Sequence, residues 1–132
     1  MAEGLAKKML GRKARVKSAG IEAHSGSPSP EAVETMRSLF NIDISRYRSK
    51  HISRVPVHDF DYIIAMDPYI LSRIKSVYRL PPEHLIEWIV EDPMGMEREY
   101  YEVVGYKIQK NMRRFFKDKD IVFKPLKIKK KQ

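Results

Sequence analysis

Hydrophobic side chains recur every three or four residues in four stretches of the chain, a spacing that predicts four amphipathic helices. The apolar positions are Leu5, Met9 and Leu10 in the first, Val33, Met36, Leu39 and Phe40 in the second, Ile70, Leu71, Ile74 and Val77 in the third, and Tyr100, Tyr101, Val104, Ile108, Met112 and Phe115 in the fourth. Ser29 before Pro30 and Asp67 before Pro68 are typical helix starts, because the polar side chain caps free N–H groups. Asn41 is suited to end the second helix in a left-handed conformation.

Three stretches between these helices predict β-strands. Residues 62–66 are an apolar run without alternation, which is typical of parallel strands covered by helices on both faces, and residues 85–90 predict a further strand. Residues 14–18 are a shorter candidate, and residues 120–128 could add an edge strand, although Pro125 cannot donate a ladder hydrogen bond. Strands that alternate with helices at this pitch predict an α/β fold, a three-layer sandwich with a short parallel sheet.

Composition narrows the class of protein further. A chain of 132 residues has the size of one compact domain, and its 42% hydrophobic content is ordinary for a globular protein. We expect a domain over residues 1–117 and a basic extension over residues 118–132. The amino-terminal apolar residues are interrupted by charges, so we expect no membrane association and a cytoplasmic location. Zero cysteines exclude disulfides and thiol catalysis within these residues, and the four histidines lack metal-ligand spacing, so we expect no metal and no cofactor.

The net charge of +9 is concentrated at the carboxyl terminus. The last nine residues contain five lysines, which are Lys124, Lys127, Lys129, Lys130 and Lys131. Such a run is most often a solvated tail, and the functional alternative is a patch for nucleic acid or another polyanion. Because no aromatic side chain is interleaved with these lysines, nucleic-acid binding by the tail is the least favoured interpretation.

Candidate chemistry lies just after the predicted strands, because sites in open parallel sheets form at the carboxyl ends of the strands. Asp92 is the best placed residue, since Pro93 stiffens its turn and a carboxylate there suits a general acid. An Asp-Pro pair after a strand is also common as a simple turn or helix cap. The pair alone therefore leaves both interpretations open.

Six patches occur in a fixed order along the chain: 1–3, 18–20, 26–32, 42–49, 61–67 and 92–95. Their order and spacing resemble the low-molecular-weight protein tyrosine phosphatases, including bacterial relatives that act on phosphoarginine, over roughly residues 1 to 116. The resemblance implies the phosphotyrosine phosphatase I-like fold and a phosphoprotein or small phosphomonoester substrate. In that family a Cys-x5-Arg loop holds the phosphoryl group, the cysteine thiolate attacks phosphorus, and an aspartate at the position of Asp92 protonates the leaving oxygen. Ser18 matches a serine that supports the phosphate loop.

The chain departs from this pattern at its beginning. Met1 matches a methionine just downstream of the loop arginine, so we expect the family's central first strand, its nucleophile and its phosphate cradle to be missing. Tyr47 and Met94 replace a histidine and an aromatic residue found in many members. The related arsenate reductases need further cysteines, so we expect the chain to lie outside that branch.

Three hypotheses follow for the function. The chain is a phosphatase whose true amino terminus lies before Met1, a non-catalytic relative that binds a partner, or a polyanion-binding module that uses its lysine tail. Loss of the central strand would leave its neighbours unpaired, which costs about 1–3 kcal/mol for each buried backbone group. A chain without this strand should be unstable unless something fills the gap, and the candidates are the segment 121–128 and a strand from a second copy.

Overall fold

A computed structural model describes residues 1–22 and 26–128. The helices are α1 (Ala2–Leu10), α2 (Pro30–Phe40), α3 (Pro68–Val77) and α4 (Arg98–Asp118), and the strands are β1 (Ile63–Ala65) and β2 (Leu85–Glu87). Single turns of 3-10 helix at Gly11–Lys13, Ile52–Arg54, Val57–Asp59 and Pro82–His84 lie between these elements. The α/β class and the order of the four helices are as predicted.

The predicted helix boundaries are confirmed at three positions. The Ser29 hydroxyl accepts a hydrogen bond from the Ala32 N–H (3.2 Å), and the Asp67 carboxylate accepts one from the Ile70 N–H (2.7 Å). Asn41 ends α2 with φ +57°, in the left-handed region. These caps fix where the chain enters α2 and α3 from the loops before them.

The sheet is parallel and short. Ile63 lies opposite Leu85, and Ala65 lies opposite Glu87. Beyond β2, the Trp88 N–H donates to the Ala65 carbonyl (2.8 Å) and the Val90 N–H donates to the Met66 carbonyl (3.0 Å). The strands predicted over 62–66 and 85–90 are thus confirmed. Their backbone hydrogen bonding extends as far as Val90, two residues before Asp92.

The strand predicted over 14–18 is wrong. Ala14 is extended, but the described residues provide only an isolated parallel bridge between Gly20 and His51. Most of the segment is exposed, and Val16 alone is half-buried. A strand needs a neighbour to exchange ladder hydrogen bonds, and no described residue runs beside 14–18 in that register.

The main hydrophobic core lies between α1, α2 and α4. Leu5 and Met36 are fully buried there. Phe115 of α4 joins this core to the sheet, since its ring centroid lies 5.1 Å from that of Tyr62 and 6.3 Å from that of Trp88. Helix α3 contacts both strands. Its predicted apolar stripe is only partly confirmed: Ile74 is buried, but Val77 is 65% exposed because it lies at the end of the helix.

The segment after α4 packs on helices and forms no strand over residues 120–128. The Lys124 N–H donates to the Met9 carbonyl of α1 (2.9 Å), and the Phe123 ring lies 5.6 Å from the Phe116 ring. The candidate role of 121–128 in completing the sheet is therefore wrong, because the segment lies against α1 and α4 through these contacts. The tail lysines Lys129, Lys130 and Lys131 lie outside the described residues. Within 1–22 and 26–128, no helix has the length and apolar character to cross a membrane.

Candidate functional site

Asp92 lies on a tight loop just beyond the carboxyl end of β2. One of its carboxylate oxygens accepts a hydrogen bond from the Met94 N–H (3.0 Å), and the side chain is exposed. Pro93 is buried, and its carbonyl accepts a hydrogen bond from the Met96 N–H (2.9 Å). Gly95 has φ +80°, a conformation that glycine adopts without strain. The loop is therefore held from inside by Pro93, and it presents the Asp92 carboxylate to solvent.

A second contact ties this loop to α4. The Tyr100 hydroxyl, in the first turn of α4, donates a hydrogen bond to the Glu91 carboxylate. This hydrogen bond raises the pKa of Tyr100 above its ordinary value. Tyr101 has a different role, because it is buried and its hydroxyl accepts a hydrogen bond from Ser29 (3.1 Å). The residue before Asp92 is thus fixed to the helix that follows the loop.

Ser18 lies in a separate polar cluster beside the start of α1. Its hydroxyl donates a hydrogen bond to one carboxylate oxygen of Glu3, and the Lys7 Nζ lies 2.6 Å from the other. The Lys7 ammonium also stands 5.0 Å from the centre of the Tyr47 ring. Partial burial would raise the pKa of Glu3, but the hydrogen bonds from Lys7 and Ser18, with the charges of Lys7 and Lys50, hold that pKa below its ordinary value.

The two predicted site residues are held by different partners. In the described part of the chain, no hydrogen bond or ion pair joins Ser18 to Asp92. Sequence reasoning missed Glu3 as the partner of Ser18, although the i,i+4 spacing of Glu3 and Lys7 was a signal for an ion pair on α1. The role of Ser18 in supporting a phosphate loop stays a prediction.

Exposed apolar side chains flank the Asp92 loop. Ile89 is 63% exposed, Met94 is 74% exposed and Met96 is 50% exposed. Within residues 1–22 and 26–128, no group of histidine, aspartate and glutamate side chains could hold a metal ion. The arrangement supplies a proton donor or acceptor beside an apolar, adaptable surface, which suits proton transfer to a leaving group.

Comparison with known proteins identifies the family of this chain. A family model described as low molecular weight phosphotyrosine protein phosphatase matches residues 1–131. The chain belongs to this family, which confirms the family resemblance predicted from the sequence.

Relatives within the family carry two kinds of name. An arsenate reductase of Bacillus cereus is 33% identical over 117 residues, which cover 87% of this chain and 82% of that protein. Arsenate reductase 2 of Staphylococcus epidermidis is 38% identical over 96 residues, which cover 72% of this chain and 69% of that reductase. The crystal structure of a low molecular weight protein tyrosine phosphatase from T. tengcongensis matches with a TM-score of 0.78 at 29% identity, covering 89% of this chain and 88% of that one.

Proposed function

We propose that the chain supplies the acid side of a phosphomonoester hydrolysis site, with Asp92 as the general acid. Its carboxylate would protonate the leaving oxygen of a phosphoprotein or a small phosphomonoester. The observation that supports this proposal is the loop itself. Asp92 is exposed, follows the paired ends of β1 and β2, and lies between the buried Pro93 and the anchored Glu91.

The same proposal includes a limit on turnover. The family's covalent step requires a cysteine thiolate that attacks phosphorus, and these 132 residues contain no cysteine. The chain as printed then does not turn over substrate by that mechanism. Arsenate reduction through thiols would also require cysteine. We therefore do not propose arsenate reductase activity for this chain.

The non-catalytic alternative is a partner-binding domain, and the edge of β1 is the feature that favours it. In the described residues β1 pairs only with β2, so its other edge offers backbone groups to a further strand. A strand from a second copy could occupy this edge, which would make the protein an oligomer.

We also propose that the protein is located in the cytoplasm.

The test is to restore the missing chemistry. The 132-residue protein is assayed with p-nitrophenyl phosphate before and after a first strand and Cys-x5-Arg loop from an active family member are joined ahead of Met1. We expect no turnover from the original protein and measurable turnover from the extended one.

The matched control carries the same added segment with serine in place of its cysteine, and we expect it to be inactive. Turnover by the original 132 residues would contradict the limit on catalysis. A folded but inactive extended protein would contradict the assignment of the remaining site, and it would favour the partner-binding alternative.

A further inference from the structure

The carboxyl-terminal half of α4 carries a concentrated group of cations. Lys110, Arg113, Arg114 and Lys117 are exposed and line one open depression of about 270 Å³, together with Asp118. We call these four residues the α4 basic face. Between residues 107 and 119 the chain has six cations and a single carboxylate, so positive charge dominates this surface.

Helix stability does not account for the α4 basic face. Cations interact favourably with a helix dipole within the last turn, which explains Lys117 but not Lys110, two turns before the end of α4 at Asp118. Like charges at i,i+3 and i,i+4 also repel one another, as Lys110 does with Arg113 and Arg114. The ion pairs found among the described residues involve other cations, namely Lys7, Arg37 and Arg98. Among residues 1–22 and 26–128, no ion pair therefore offsets the repulsion within the α4 basic face.

The segment after α4 carries further exposed cations. Ile121, Phe123, Leu126 and Ile128 pack towards the core, whereas Lys124 and Lys127 are exposed. Because Phe123 contacts Phe116 on α4, these lysines lie on a segment that is packed beside the end of the helix. Lys124 and Lys127 thus add exposed positive charge to the segment that follows α4.

We propose that the α4 basic face binds the phosphate backbone of single-stranded nucleic acid without regard to sequence. Guanidinium groups bind phosphate oxygens in pairs of hydrogen bonds, and lysines add point charges. The four cations lie on one exposed face of α4 and are complementary in charge to a chain of phosphates. The aromatic side chain on the same face, Tyr106, favours nucleic acid over an anionic membrane.

A nearby aromatic side chain favours a single strand. Tyr106 is 38% exposed and lies one turn before Lys110, on the stripe that continues through Arg113 and Lys117. An exposed ring beside a basic surface offers a stacking platform to an unpaired base. The lysine tail lacks such a ring, which is why the tail alone gave a weaker case for nucleic acid.

This surface is separate from the Asp92 loop. Helix α4 begins at Arg98, just after that loop, and Arg113 lies about 22 Å further along the helix axis at the usual rise per residue. Binding at the α4 basic face consequently does not depend on the proposed acid function.

The test uses fluorescence anisotropy of the whole 132-residue protein with a labelled single-stranded DNA of mixed sequence, about 20 nucleotides long. We expect binding that weakens steeply between about 50 and 200 mM salt. The variant Lys110→Gln, Arg113→Gln, Arg114→Gln, Lys117→Gln should lose at least tenfold in affinity. The slope of log affinity against log salt should become shallower by about 3, since each contact to a single strand contributes about 0.7.

The matched control removes four exposed cations elsewhere, as Arg46→Gln, Arg54→Gln, Arg73→Gln, Arg79→Gln, and lowers the net charge equally. It should bind nearly as the original protein does. Equal losses in both variants would show an effect of net charge alone and overturn the proposal. Failure of the original protein to bind the DNA would also overturn it, as would binding only to phosphatidylserine vesicles. The melting temperature of the α4 variant should not fall, because like-charge repulsion is removed.

Discussion

The hydroxyl of Ser18 donates a hydrogen bond to the carboxylate of Glu3, which joins the segment after α1 to the first turn of that helix. The resemblance to the family predicts that Ser18 supports a phosphate loop. Here the same position is engaged by a residue of α1, and Glu3 also pairs with Lys7. These contacts thus hold the segment 14–18, which has few other hydrogen bonds, against α1.

Ser18→Ala tests the contribution of the hydrogen bond between Ser18 and Glu3 to stability. Loss of a hydrogen bond to a carboxylate on an exposed segment should lower the free energy of unfolding by about 1 kcal/mol. Urea denaturation measures the change, and Ser72→Ala on the exposed side of α3 is the control, with an expected effect below about 0.5 kcal/mol. Equal effects of the two substitutions would contradict a specific role for Ser18.

Glu3 predicts a dependence of stability on pH. Because its pKa is lower in the folded protein, its contribution to stability is present above the ordinary glutamate pKa and is lost as pH falls through the lowered value. The free energy of unfolding of the original protein should therefore fall more steeply below about pH 4 than that of Glu3→Gln. Urea titrations at several pH values measure both curves, and parallel curves would exclude this linkage.

The packing around two helical glycines predicts that their substitution by alanine changes stability by different amounts. At Gly4, an added Cβ would lie 2.9 Å from Ile44 Cγ2 and 3.3 Å from Ile42 Cγ2, on stiff β-branched side chains. At Gly105, the nearest atom would be the flexible Met1 Cε at 3.2 Å. Alanine favours helices by about 1 kcal/mol over glycine, whereas overpacking costs about 1–3 kcal/mol. Urea midpoints should show that Gly4→Ala destabilises the protein and that Gly105→Ala does so less, or not at all. The reverse order would contradict the packing around Gly4.

The ionisation of Tyr100 tests whether its hydrogen bond to Glu91 forms beside the Asp92 loop. The hydrogen bond to Glu91 favours the neutral phenol, so this contact is present below the ordinary tyrosine pKa and is lost as pH rises through the raised value. In an ultraviolet titration of tyrosinate, Glu91→Gln should move one high-pH ionisation to lower pH. Glu87→Gln, which changes an exposed residue of β2, should leave it in place. An unchanged curve for Glu91→Gln would mean that the contact does not form in solution.

Sequence patterns predicted the elements that depend on local chemistry. The caps at Ser29 and Asp67 and the left-handed Asn41 could be recognised because each satisfies groups within a few residues. The segments 14–18 and 120–128 could not be placed in this way. An extended segment becomes a strand only beside a suitable neighbour, and neither has one among the described residues.

The candidate site shows the same division. Asp92 was found because an Asp-Pro pair after a strand is readable in the sequence, and its loop stands where the pattern predicted. The hydrogen bonds from Ser18 to Glu3 and from Tyr100 to Glu91 join residues brought together by the fold. The first depends on how the segment after α1 turns back, which no local pattern encodes.

Asp92→Asn in the protein extended with a cysteine loop is the most direct test of the account. As a general acid, Asp92 should contribute about 10²–10⁴-fold to kcat, with a larger loss for phenyl phosphate, whose leaving group needs the proton, than for p-nitrophenyl phosphate. Asp61→Asn is the matched control, since Asp61 is exposed before β1 at the opposite end of the sheet. A loss confined to Asp92→Asn and dependent on the leaving group is the predicted result; activity that Asp92→Asn leaves unchanged would contradict it.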